Sequence, residues 1–103
     1  MPWSEASGLA AGDAGDGPGP EASARLRADG VALLQLTFRA GQTLADHSAP
    51  KPILLLGQRG RIAVHIGGGT VTLQPGSALH ITAREPHALT AETDAVATLL
   101  LLG

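Results

Sequence analysis

From residue 24 to the end of the chain, apolar side chains fall at alternate positions in short runs, and each run closes on glycine, proline or aspartate. A period of two is that of an extended strand with one buried face, and the closing residues are those that make tight turns. Asp29-Gly30 separates a strand over Ala24 to Ala28 from a longer one over Val31 to Arg39. Gln42 to His47 then leads into Ala49-Pro50-Lys51-Pro52, whose prolines cannot donate ladder hydrogen bonds and mark a bend or an edge. Ile53 to Gln58 resumes as a strand. Arg61 to Ile66 and Thr70 to Leu73 flank a hairpin turn at Gly67-Gly68-Gly69, and Gln74-Pro75-Gly76 is a further turn. Leu79 to Thr82, His87 to Ala91 and Ala95 to Leu102 complete the series, the last two joined by Glu92-Thr93-Asp94. No segment has helical periodicity, so the fold class is all-β, a sandwich or a barrel.

Composition changes this picture at one end. Residues 1–23 hold five Gly, three Pro and four acidic residues with no Lys or Arg, and only Trp3 and Leu9 offer substantial apolar side chains. Such a stretch cannot offset the entropy of ordering itself, so residues 1–23 are expected to be a flexible, disordered arm before a barrel domain over residues 24–103. Trp3 reads as a residue near a loose terminus or as an anchor on the barrel or a partner. Without the arm the charge balance shifts: seven basic and five acidic residues remain, a net charge of about +2 against −2 for the whole chain. The basic residues are scattered and there is no aromatic platform, which argues against a nucleic-acid partner. With no cysteine there is no disulfide framework, thiolate metal site or cysteine nucleophile. No signal-peptide pattern and no membrane-length apolar run is present, so the expectation is a soluble cytoplasmic protein with no membrane partner.

Two spaced motifs carry more information. The run GQTLADHSAPKPILLLGQRG, from Gly41 to Gly60, fits Gly, five residues, His, any, His, three residues, Glu, six residues, Gly, with every spacing kept. Fifteen residues later GSALHITAREPH, from Gly76 to His87, fits Gly, five residues, Pro, any, Gly, two residues, His. In these two motifs, and over roughly residues 24 to 102, the chain resembles the small single-domain cupins. The resemblance implies a cupin-type double-stranded β-helix, a jelly-roll barrel, behind the flexible arm.

In that family the two histidines and glutamate of the first motif and the histidine of the second bind a divalent metal inside the barrel. Carried over by position, His47 matches the first histidine, Ala49 the second, Ile53 the glutamate and His87 the last. Two of the four donors remain. Without a carboxylate a divalent ion would be held by neutral imidazoles with its charge poorly compensated, so the expected cofactor is none, or a weakly bound divalent metal on His47 and His87. The site that survives is a mostly apolar pocket in which His47 and His87 face the lumen beside Ile53 and Leu55, suited to a small organic ligand. Two imidazoles there could hydrogen-bond an acid or carbonyl or move a proton.

The other histidines read differently. Alternation turns His65 away from Ile62, Val64 and Ile66, and sets His80 opposite Leu79 and Ile81. Ser48 and Ser77 lack a nucleophile elbow, and the glycine run lacks the Lys-Ser/Thr and helix of a phosphate loop. Three functions are compatible with this set: a ligand-binding cupin with little or no metal, a metal-dependent dioxygenase- or isomerase-like enzyme using His47 and His87, and a non-enzymatic interaction module. Finally, if Ile53 and Leu55 point inward, Leu54 and Leu56 point outward beside the apolar strand ending at Leu102. That patch predicts a homodimer, with a second subunit covering it.

Overall fold

The computed structural model describes residues 2–103. It contains nine strands and, among the described residues, no helix: β1 (Glu21–Ala28), β2 (Val31–Phe38), β3 (Thr43–His47), β4 (Ile53–Arg59), β5 (Ile62–Ile66), β6 (Gly69–Leu73), β7 (Ala78–Ile81), β8 (His87–Ala91) and β9 (Ala95–Leu102). They form a five-stranded sheet in the order β1-β2-β9-β4-β7 and a four-stranded sheet in the order β3-β8-β5-β6, with every ladder antiparallel. The architecture is a jelly-roll sandwich. Its turns are those the sequence marks. Gly67 and Gly68 are the two residues between β5 and β6, and both have positive φ, 58° and 79°, as a tight hairpin requires.

Strand alternation builds the core. Leu36 and Phe38 on β2, Ile53 and Leu55 on β4, and Ala95, Ala97 and Leu99 on β9 meet Ile62, Val64 and Leu89 from the facing sheet in one buried cluster. Phe38 lies directly across from Ala95 in the ladder, so the only aromatic of the barrel is matched by a small neighbour. The inner space is closed by aliphatic volume.

The outer face of the five-stranded sheet is less simple. Val96 and Thr98 point away from the core, yet they are 0% and 1% exposed. What covers them is the N-terminal segment, which crosses β9 between Gln35 on β2 and Arg59 on β4. Gln35 Nε2 donates to the carbonyls of Leu9 and Ala11, and the Arg59 guanidinium donates to those of Ala10 and Gly12. This part of β9 is covered by the same chain, and Leu54 and Leu56, the residues of the expected dimer patch, are half-buried. The segment has no strand or helix of its own before β1, which begins at Glu21 instead of at residue 24. Met1, the first residue of the expected arm, lies outside the described residues.

Candidate functional site

His87 opens β8, and alternation places it on the inner face with Leu89 and Ala91, all three buried. His47 closes β3, three residues beyond the inward Leu44, a spacing that would send it outward on a regular strand. A register shift between Leu44 and His47 adds the extra residue that turns it back, so that His47 and His87 become direct ladder partners. Their ring centroids are 4.3 Å apart with planes inclined by 60°. The environments are unequal: His87 is 1% exposed, whereas His47, on the edge strand of its sheet, is open to solvent. Both rings were expected to face the lumen; they are ladder partners on the inner face of their sheet, His87 buried and His47 open to solvent.

Both rings are oriented in the same way. His47 Nδ1 lies 3.2 Å from the carbonyl oxygen of Ala45, and His87 Nδ1 lies 3.0 Å from that of Glu85. A carbonyl only accepts, so each Nδ1 carries a proton and Nε2 is the atom of each ring left for a further partner. For His47 that atom faces solvent. For His87 it does not: Nε2 is the one buried side-chain nitrogen or oxygen among the described residues with no hydrogen-bond partner.

Ile53 and Leu55, expected beside these histidines, lie in the core. They are 1% and 0% exposed and belong to the core cluster, Ile53 paired across the sheet with Ile81 and Leu101. The chain neighbours of the two histidines open onto the outer side of the sheet, the side on which His65 lies. A cleft of about 400 Å³ is lined by Asp46 and Pro86, their chain neighbours, and by His65, Ile66, the three glycines of the β5–β6 hairpin and Thr70. Ile66 is the ladder partner of His87 on the side away from His47. Sequence reasoning found the two histidines and missed the cleft and the Ala45 and Glu85 carbonyls, because main-chain acceptors leave no residue signature.

The donor set does not fit a tightly held divalent metal. Ile53 presents only carbon at the glutamate position, Ala49 packs its methyl against the core, and no group of three His, Cys, Asp or Glu among the described residues converges as a metal site does. His65 is exposed and bonded to Thr70 Oγ1 at 3.2 Å, and His80 is exposed on the outer face opposite Leu54. The backbone of both motifs nevertheless survives. Gly60, which ends the first, has φ 69°, and a Cβ there would lie 2.1 Å from the carbonyl oxygen of Asp94. Arg84, at the glycine position of the second, is the only non-glycine among the described residues with positive φ, 65°, and its N–H donates to Ala49 O at 2.7 Å. The left-handed turn remains although the residue that suits it has gone.

The family model for the cupin domain matches residues 35–103, and the chain belongs to that family. Solved structures show the same fold at low identity. An RmlC-like cupin from Shewanella frigidimarina aligns with 99% of this chain and 94% of its own at a TM-score of 0.78 and 15% identity. A cupin superfamily protein from Desulfitobacterium hafniense aligns with 81% of this chain and 76% of its own, with a TM-score of 0.75 and 18% identity. The DMSP lyase DddQ from Ruegeria pomeroyi matches 82% of this chain but 47% of its own, with a TM-score of 0.74 and 18% identity. No curated protein matches the chain.

Proposed function

We propose that this cupin binds a small organic molecule at the rim of the barrel, through hydrogen bonds from the ligand's O–H or N–H groups to Nε2 of His87 and of His47. The observation that carries the reading is the buried, unpartnered Nε2 of His87. Leaving such a group unmade costs about 1–3 kcal/mol, a penalty that a donor from a ligand removes. With both Nδ1 atoms committed to carbonyls, the Nε2 atoms are the ones left to meet a ligand, and as acceptors they suit an alcohol, an amide or a protonated acid. A cleft lined by Asp46 and Pro86, the chain neighbours of the two histidines, is of the size that small-ligand sites occupy. A metal-dependent enzyme would need donors at positions 49 and 53 that this chain lacks.

The test is a saturation-transfer NMR screen of polyols, small amides and hydroxy acids against the wild type, His87→Leu and His80→Ala. Hits should lose at least about tenfold in affinity with His87→Leu, the loss expected when one hydrogen bond worth about 1.4 kcal/mol is removed. They should keep it with His80→Ala. Equal binding to wild type and His87→Leu would refute the assignment.

A further inference from the structure

On the inner face of β9 burial falls away toward the end of the strand. Ala95, Ala97 and Leu99 are 0%, 0% and 7% exposed, yet Leu101, next on the same face, is 37% exposed. The ladders set Leu101 in a row that runs Arg27, Ala32, Leu101, Ile53 across β1, β2, β9 and β4, on one face of the sheet. Ile53 is 1% exposed, so cover ends between β4 and β9. Beyond it Ala32 and Leu101 form an apolar ledge with Arg27 at its far side. A cleft of about 240 Å³ opens there, its walls including Arg27, Val31, Ala32, Lys51, Leu101 and Leu102. Its charge is one-sided. Arg27 and Lys51 line it and no acid does, Asp29 of the adjoining turn included, whereas the clefts near Arg39 and His65 each contain an aspartate. Arg27 is exposed and takes no part in the ion pairs of the described residues. Lys51 Nζ donates to Gly103 O at 3.1 Å, which holds the ammonium at the cleft with two N–H bonds to spare. Gly103 N in turn donates to Gly30 O at 2.9 Å, tying the β1–β2 turn to the end of β9.

We propose that this cleft binds a small organic acid with an apolar tail, the carboxylate between Arg27 and Lys51 and the tail on Ala32 and Leu101. An apolar floor beside two cations calls for one ligand that carries both an anion and a short hydrocarbon chain. Free phosphate would leave the ledge wet, and a neutral hydrocarbon would leave the cations unused. The guanidinium of Arg27 is a planar fork that matches a carboxylate, and the ammonium of Lys51 adds a point charge. At about 240 Å³ the cleft is smaller than the roughly 300–1,000 Å³ of sites for drug-sized ligands, which limits the tail to a few carbons. Neither His47 nor His87 lines it, so it is a second site, independent of the one proposed for that pair.

The test is a titration of the isotopically labelled full chain with hexanoate, hexanamide, acetate and inorganic phosphate, followed by amide shifts in two-dimensional NMR. Hexanoate should bind saturably with a Kd on the order of 1 mM, moving the amides of Gly30, Ala32, Leu101 and Gly103. Acetate and phosphate, which lack the tail, should bind at least about tenfold more weakly. Hexanamide, which lacks the charge, should bind about fivefold more weakly. Arg27→Gln, at an exposed position, should weaken hexanoate about fivefold and leave hexanamide unchanged. Leu101→Thr should weaken both, and His87→Leu should change neither. Hexanamide bound as tightly as hexanoate, shifts confined to residues outside the cleft, an unaltered Kd in Arg27→Gln, or no saturable shift by about 10 mM would each overturn the proposal.

Discussion

Replacing His87 by leucine should make the protein more stable. The ring is 1% exposed and its Nε2 has no partner, so the folded state carries the cost of a desolvated acceptor, about 1–3 kcal/mol. Leucine removes that cost at similar volume. It also forfeits the Nδ1 hydrogen bond to Glu85 O, worth about 0.5–1.5 kcal/mol net. The difference favours leucine by roughly 1 kcal/mol, and for a domain of this size that raises Tm by about 4–8 °C. His87→Ala deletes the same nitrogen but leaves a void, and should fall below wild type by about 1–2 kcal/mol. Thermal and urea unfolding should be followed by far-UV circular dichroism, because the only tryptophan, Trp3, sits on the arm and does not report on the barrel. If His87→Leu lowers Tm by several degrees, Nε2 is satisfied in the folded protein and the residue is there for structure, which would remove the main support for a ligand site.

Arg84→Gly should stabilise by about 0.5–1 kcal/mol in urea titration: relief of a left-handed residue is worth roughly 1–2 kcal/mol, partly offset by the greater freedom of glycine in the unfolded chain. No gain would mean that the strain is already absorbed by the bond to Ala49. Ala49→His with Ile53→Glu should destabilise the metal-free protein by on the order of 3 kcal/mol, since position 53 is 1% exposed, and added zinc should restore the loss; a folded variant without zinc affinity would refute the motif alignment. Leu54→Asp and Leu56→Asp, on the half-buried outer face, should abolish dimer at concentrations where wild type shows it by sedimentation, and persistence of the dimer would exclude that face.

The strand order of hydrophobic and polar residues was legible because a period of two and turn glycines are local. Alternation alone places Ile53 and Leu55 inward and His65 and His80 outward, as the structure has them. The shift in β3 was not legible. It moves His47 onto the face of Leu44 through a register change that depends on the partner strand, and no residue type between Ala45 and Asp46 demands it. The path of the arm was equally hidden. Its own composition argues against order, and the order it has comes from donors on Arg25, Gln35, Arg39, Gln42 and Arg59, spread over three strands and a turn that only the tertiary fold assembles.

The two motifs separate what a backbone needs from what a metal needs. Gly60 must stay because a Cβ would strike the carbonyl of Asp94, and the turn at Arg84 persists even with an unsuitable residue because its N–H ties the β7–β8 connection to Ala49. These are requirements of packing and hold whatever the barrel contains. A carboxylate at position 53 has no such role: buried without a cation it would be costly, and isoleucine there joins Leu55, Ile81 and Leu99 in one apolar cluster. Filling that position closes the interior, and the polar chemistry left is the pair held at the rim by two main-chain carbonyls. The proposed ligand would therefore be met by the His47–His87 pair and not by a donor at position 53, whose isoleucine belongs to the core.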